Sequence, residues 1–241
     1  MSLEGKHILI TGAARRLGRT MALAVAQAGG TVIIHHGHSP DEAADTQQAI
    51  VAMGKPAHIV QADLNEPDQV THMVAEASSF GPLFALVNNA AIFESRTWDT
   101  TDIDAWNRHL DINLTAPFLL SQAFAHSLVS SSEGRIVNIL DWRALRPGAD
   151  HLPYTVSKAA LAALTRSLAI ALAPKILVNG LAFGAILPPS PTADLKRIIE
   201  PVPARRWAQP DEVGQALIFL LDGPGYITGE ILHLDGGRHL V

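Results

Sequence analysis

The sequence predicts one α/β domain: a doubly wound, seven-stranded, mainly parallel sheet flanked by helices. Three observations carry this expectation. Short apolar runs alternate with helical stretches along all 241 residues. The runs are apolar on consecutive residues, as strands are when both sheet faces are covered. No Pro-, Gly- or Ser-rich linker interrupts them, so residues 1–241 read as a single domain.

His7-Ile8-Leu9-Ile10 reads as the first strand, closing on Thr11-Gly12. An Ala-rich helix from Leu17 to Ala28 stops at Gly29-Gly30. Thr31-Val32-Ile33-Ile34 is the second strand, Pro40 to Met53 a helix ended by Gly54, and Ala57-His58-Ile59-Val60 the third strand. A helix over Pro67–Ser79 leads to the fourth strand, Phe84-Ala85-Leu86-Val87. Two helices fit 102–114 and 115–130, before the fifth strand over Arg135–Leu140. A long helix spans Tyr154–Ala171. Ile176-Leu177-Val178 is the sixth strand, Asp211–Leu221 a helix and Glu230–Leu234 the seventh strand. Five prolines and little periodicity mark about 187–209 as a substrate loop, with one short helix around Ala193–Ile199. An ordinary connector is the alternative.

Hydrophobic residues are 48% of the chain, enough for a large core, and 18 basic against 23 acidic residues leave a net charge of −5. With no basic stripe, nucleic acid is not an expected partner. The absence of cysteine excludes disulfides and thiolate chemistry. Met1 to Lys6 runs straight into a strand without an export signal's apolar core, and no apolar run reaches membrane-span length. The expected setting is cytoplasmic, with no membrane partner.

The turn Thr11-Gly12-Ala13-Ala14-Arg15-Arg16-Leu17-Gly18 links a strand to a helix, the context a dinucleotide fingerprint requires. Gly12 permits the tight turn, Gly18 permits close helix–strand packing, and the helix N-terminus can face a pyrophosphate. Arg16 stands where a middle glycine is usual and could put a guanidinium on that pyrophosphate. After the second strand, an NAD site wants an acid for the ribose 2′-hydroxyl. Here stand His35-His36-Gly37-His38-Ser39. His36, His38 and Ser39 can donate to a 2′-phosphate, so NADP(H) is the expected cofactor. A metal tract or plain strand-end residues are the alternatives, and no metal is expected. Asp63 could accept from an adenine amino group, small residues at Ala90-Ala91 could let backbone approach the cofactor, and Asn88 and Asn89 could pin adjacent strands.

Tyr154 and Lys158 are four apart on one helix and so share a face. At about 5 Å and an effective dielectric near 20, the lysine would stabilise a phenolate by about 3 kcal/mol, roughly two pKa units. That would move the tyrosine towards a usable acid or base.

With these residues the chain resembles the short-chain dehydrogenase/reductase family over nearly its whole length. The family's pieces come in order: Thr11-Gly12…Gly18, Asp63-Leu64, Asn88-Asn89-Ala90, Asn113, Tyr154-x-x-x-Lys158, Val178-Asn179-Gly180 and Leu234-Asp235-Gly236-Gly237. The resemblance implies a Rossmann fold, with Leu17, Leu64, Asn89, Ala90 and Gly184 along the cofactor. It implies that Tyr154 is the proton donor and that Lys158 lowers its pKa and holds the nicotinamide ribose. Asn113 would support a relay water through a helix irregularity, and Ile186 would contact the carboxamide. The family usually has a serine thirteen residues before the tyrosine; here Asp141 stands there, and Phe183 replaces the usual proline before Gly184.

An aspartate there is one of four features that resemble the pteridine reductases. The others are Thr-Gly-x-x-x-Arg-x-Gly, the His- and Ser-containing segment, and Asn-Asn-Ala-x-x-Phe ending at Phe93. The expectation is therefore an NADPH-dependent reductase of a pterin-like ring. That ring would stack near Phe93, with Arg16 at its polar edge and Asp141 beside Tyr154 helping to deliver the proton. A reductase of another carbonyl or imine, or a non-catalytic NADP(H)-binding sensor, are the competing readings. The family commonly forms homotetramers, and Ala159, Ala160, Ala162 and Ala163 would allow close helix packing, or serve the core.

Overall fold

In the computed structural model, which describes residues 3–128, 133–187 and 195–241, seven strands form one sheet in the order β3-β2-β1-β4-β5-β6-β7. The strands are β1 His7–Ile10, β2 Thr31–His36, β3 Ala57–Gln61, β4 Leu83–Asn88, β5 Gly134–Asp141, β6 Ile176–Phe183 and β7 Ile231–Leu234. Every pairing is parallel, β7 included. The chain winds outward both ways from β1 and β4, so their carboxyl ends form the switch point where such sheets bind ligands.

Alternate residues feed two layers. Ile8, Ile10, Val32 and Ile34 pack on α1 (Arg16–Gln27), α2 (Pro40–Ala52) and α8 (Pro210–Asp222). Leu9, Ile33, Leu86 and Ile136 pack on α3 (Pro67–Ser79) and α5 (Ala116–Ser127). Each such fully buried side chain stabilises the fold by about 1.5–3 kcal/mol. Of the four alanines on α6 (Leu152–Leu172), Ala162 is in the core, whereas Ala159 and Ala163 are exposed.

Three elements differ from expectation. β6 runs five residues further, through Asn179-Gly180, a pair that reads locally as a turn. Asn179 Nδ2 donates to the Ile227 carbonyl and its Oδ1 accepts from Glu230 N, at 2.9 and 3.0 Å. A Cβ on Gly180 would press on Leu140, so tertiary neighbours hold the pair extended. The two helices near 102–130 are one path: α4 (Ile103–Leu110), a π-helical turn over Asp111–Thr115, then α5; residues 129 and 130 lie outside the described ones. Pro117 has no N–H to give to the Asn113 carbonyl four residues back, which accounts for the widened turn. Finally, α6, 21 residues long with mean hydropathy 1.3 over an 18-residue window, is long and apolar enough to cross a membrane, which corrects the expectation that no run reaches that length. Its apolar character serves the core, where Leu161, Ala162 and Ala169 are buried. In the substrate-loop region, α7 covers Leu195–Ile199; the start expected near Ala193 lies outside the described residues.

Candidate active site

The glycine turn is held from three sides. Thr11 Oγ1 accepts from the backbone N–H of both Asn89 and Ala90, each at 2.9 Å. Asn89 Nδ2 donates to the Thr11 carbonyl at 2.7 Å and the Gly12 carbonyl at 3.2 Å. Gly12 N donates to His35 Nδ1 at 3.1 Å. Gly12 has φ +63°, and a Cβ on Gly18 would collide with the Gly12 carbonyl oxygen. Asn88 ties β4 to β5 through Asn138, Nδ2 to Oδ1 at 2.8 Å. Both asparagines therefore pin strands, as expected. The roles of Thr11 and His35 were missed, although both residues stood inside segments already singled out.

This turn fits a dinucleotide pyrophosphate. No side chain caps the N-terminus of α1 and no acid sits in its first turn, so its free N–H groups and positive dipole end are uncompensated. Arg16 is exposed with φ +52°, a left-handed backbone that costs a non-glycine residue about 1–2 kcal/mol. Leu17 and Ala90 are half-buried beside it, and Leu64 is buried.

The β2 end is basic and hydroxylic, with no acid before Asp41. His36 is buried with Nδ1 unpartnered, its pKa lowered chiefly by burial. The His38 side chain is 82% exposed, 4.0 Å from Asp63 Oδ2. Ser39 precedes α2 without capping it, leaving its hydroxyl free of the helix. Asp63 Oδ1 accepts from Asn65 N and Nδ2, both at 2.9 Å, so half of that carboxylate is already used. At the other end of the cleft, a Cβ on Gly184 would collide with Asp235, and Ile186 is buried behind it.

β5 and β6 end in register, Asp141 opposite Phe183, which sets Asp141 against the first turns of α6. The Tyr154 hydroxyl donates to Asp141 Oδ2 at 3.3 Å, and Asp141 Oδ1 accepts from Arg143 N at 2.9 Å. Lys158 is buried, donates to the Ile139 carbonyl at 2.7 Å, and lies 5.9 Å from the Tyr154 ring centre. The expected lowering of the Tyr154 pKa is not found. Burial first, then the Asp141 carboxylate, push it well above its usual value. Lys158 is itself lowered to about 8 by burial, with Asp141 opposing. Burial likewise raises Asp141. Serine at 141 would carry no charge; the aspartate reverses the sign at the phenol.

Asn113, in the π turn, commits its side chain to structure. Oδ1 accepts from Ile92 N at 2.9 Å; Nδ2 donates to the Ile92 carbonyl and to Ser157 Oγ, at 3.1 and 3.0 Å. The Asn113 backbone carbonyl is left without an i+4 donor by Pro117. Phe93 is half exposed at the mouth. His151 covers one of its faces at 4.0 Å, and the Tyr154 ring meets it nearly perpendicularly at 4.6 Å. His151, Arg143 and Ser157 carried no sequence signal, because none belongs to a local pattern.

A doubly wound sheet with an anion-ready turn, no acid at the end of β2 and a buried Tyr–Lys pair defines an NADP(H)-dependent oxidoreductase. The chain belongs to the short-chain dehydrogenase/reductase family. Residues 12–239 match the family described as enoyl-(acyl carrier protein) reductase. It is 33% identical to the 3-oxoacyl-[acyl-carrier-protein] reductase of Aquifex aeolicus, over 98% of both chains. Among solved structures it resembles the FolM alternative dihydrofolate reductase 1 of Brucella canis complexed with NADP, at 36% identity and TM-score 0.93, covering 100% of this chain and 97% of that one. A gluconate 5-dehydrogenase of Burkholderia cenocepacia in complex with NADP and tartrate superposes with TM-score 0.93 at 29% identity, covering 100% of this chain and 97% of that one.

Proposed function

We propose that this oxidoreductase reduces a C=N bond of a pterin-type ring, dihydropterin or dihydrofolate-like. The observation that carries this reading is the Asp141 carboxyl on the Tyr154 hydroxyl at 3.3 Å. Reducing a ring C=N puts a proton on nitrogen; Tyr154 is the proton donor in this reading, and an aspartic acid with raised pKa beside it can help deliver that proton, whereas a serine can only orient a carbonyl. NADPH supplies the hydride. The likeness to FolM alternative dihydrofolate reductases supports the same ring chemistry.

In this reading Gly12, Arg16, Leu17 and Gly18 hold the pyrophosphate end, and His36, His38 and Ser39 the 2′-phosphate. Asp63, Leu64, Asn89 and Ala90 follow the adenosine and ribose, and Lys158, Gly184 and Ile186 the nicotinamide. Phe93 and Arg16 border the ring to be reduced. The exposed Ala159, Ala163 and Ile170 on α6 favour a homotetramer packed through that helix, in the cytoplasm.

The relatives that reduce 3-oxoacyl carrier proteins favour a second reading, a carbonyl reductase on the same scaffold. NADPH oxidation against oxidised pterins, folates and simple ketones separates the two. Turnover of dihydrobiopterin or dihydrofolate is expected; ketone reduction with no pterin or folate turnover would replace the first reading with the second.

A further inference from the structure

A short 3₁₀ turn, Trp142–Ala144, leaves β5 directly after Asp141. Two guanidinium groups stand on the Trp142 indole, Arg143 at 4.8 Å and Arg238 at 4.7 Å from its centre. Arg146 is near enough that it and Arg143 both bear on Arg238. Among the described residues one acidic side chain answers them: Asp150 Oδ2 accepts from Arg143 at 2.9 Å. Among the described residues Arg146 pairs with no acidic side chain, and Arg238 Nη1 reaches only an oxygen of the terminal Val241 at 3.4 Å, with no Asp or Glu partner. In a chain of net charge −5 this is a local reversal of sign.

The cluster is continuous with the chemistry. From Tyr154 the contacts run through Phe93 at 4.6 Å, His151 at 4.0 Å and Asp150 at 3.7 Å to Arg143.

We propose that Arg143 and Arg238, stacked on Trp142, together with Arg146, whose backbone N–H donates to the Trp142 carbonyl at 3.2 Å, form an anion site for the outer end of the substrate, a carboxylate or a phosphate. The proposal rests on the pterin-reductase reading for what lies at the inner end. Stacking on the indole holds two guanidinium forks in place, so little side-chain freedom is lost when an anion binds, and guanidinium forks suit carboxylate and phosphate geometry. The anion also offsets the mutual repulsion of the three charges.

The test compares dihydrofolate, whose tail carries carboxylates, with dihydrobiopterin, whose tail is neutral. In Arg238→Gln the ratio of the dihydrofolate KM to the dihydrobiopterin KM is expected to rise about tenfold, equivalent to about 1.4 kcal/mol. Arg146→Gln serves in its place if Arg238→Gln does not fold. p-Aminobenzoyl-L-glutamate, the folate tail without its ring, is expected to inhibit competitively, and less well in the variant. Inorganic phosphate is run beside it, and the stronger competitor names the anion. An unchanged KM ratio, or competition by neither anion, overturns the proposal. If the enzyme reduces ketones alone, the same competition is measured against the ketone. Competition that weakens in the variant then sustains the anion site while the pterin reading falls; its absence overturns both.

Discussion

Gly12 N donates to His35 Nδ1 at 3.1 Å, while His35 Nε2 donates to the Ala62 carbonyl at 3.0 Å. The two bonds require a neutral imidazole with its proton on Nε2, and they join the cofactor turn to the end of β3. Burial lowers the His35 pKa from 6.5 to about 4, with the Ala62 bond opposing.

That shift predicts acid sensitivity. Between pH 6.5 and about 4 the unfolded chain takes up a proton that the folded chain refuses. The contribution of His35 is therefore complete above pH 6.5 and falls as pH drops towards 4, by about 3 kcal/mol. Urea unfolding at pH 7 and pH 4 is expected to show this slope, and His35→Asn to remove most of it. An unchanged slope in His35→Asn would refute the assignment. His36, His58 and His233, also lowered by burial, leave a residual slope of the same sign.

Arg16 holds a left-handed backbone at φ +52°. Arg16→Gly is expected to stabilise the cofactor-free protein by about 0.5–1 kcal/mol, because relief of strain exceeds the added chain entropy of glycine. NADPH binding should weaken about fivefold or more, since the guanidinium is lost. Thermal melts and titration of NADPH check the two signs; a variant that binds NADPH as tightly as wild type would remove Arg16 from the cofactor site.

Tyr154→Phe is expected to leave the NADPH Kd within about twofold and to lower kcat by about a hundredfold or more, the scale of a lost general acid. Lys158→Ala should damage both. Near wild-type turnover in Tyr154→Phe would mean that another group donates the proton.

Asp141 keeps its proton to a higher pH than an ordinary aspartate, because burial raises its pKa. In its protonated form Asp141 helps Tyr154 deliver the proton, so kcat for pterin reduction should be full below this raised pKa and fall as pH rises through it. Asp141→Asn is expected to flatten that limb and lower kcat. A pH profile identical in wild type and Asp141→Asn would exclude Asp141 from proton delivery.

NADPH should exceed NADH by at least about tenfold in kcat/KM, about 1.4 kcal/mol. His38→Asp, which restores an acid beside the β2 end, should narrow that ratio. Equal use of both cofactors by the wild type would deny the basic segment its role.

Much of this molecule is written locally. Strand and helix order, the glycine turn and the shared face of Tyr154 and Lys158 follow from periodicity and spacing over a few residues, and all seven strands lie where the apolar runs stand. Asn179-Gly180 shows the limit: its local preference is a turn, and bonds to Ile227 and Glu230 make it strand. The tertiary structure alone decided what depends on distance through space and on exclusion of water. It set His35 beneath Gly12, Arg238 on Trp142, and Asp141 on the Tyr154 hydroxyl. It also reversed the expected direction of the Tyr154 pKa, because spacing along a helix places a lysine near a phenol but cannot weigh that charge against burial and a carboxylate arriving from another strand.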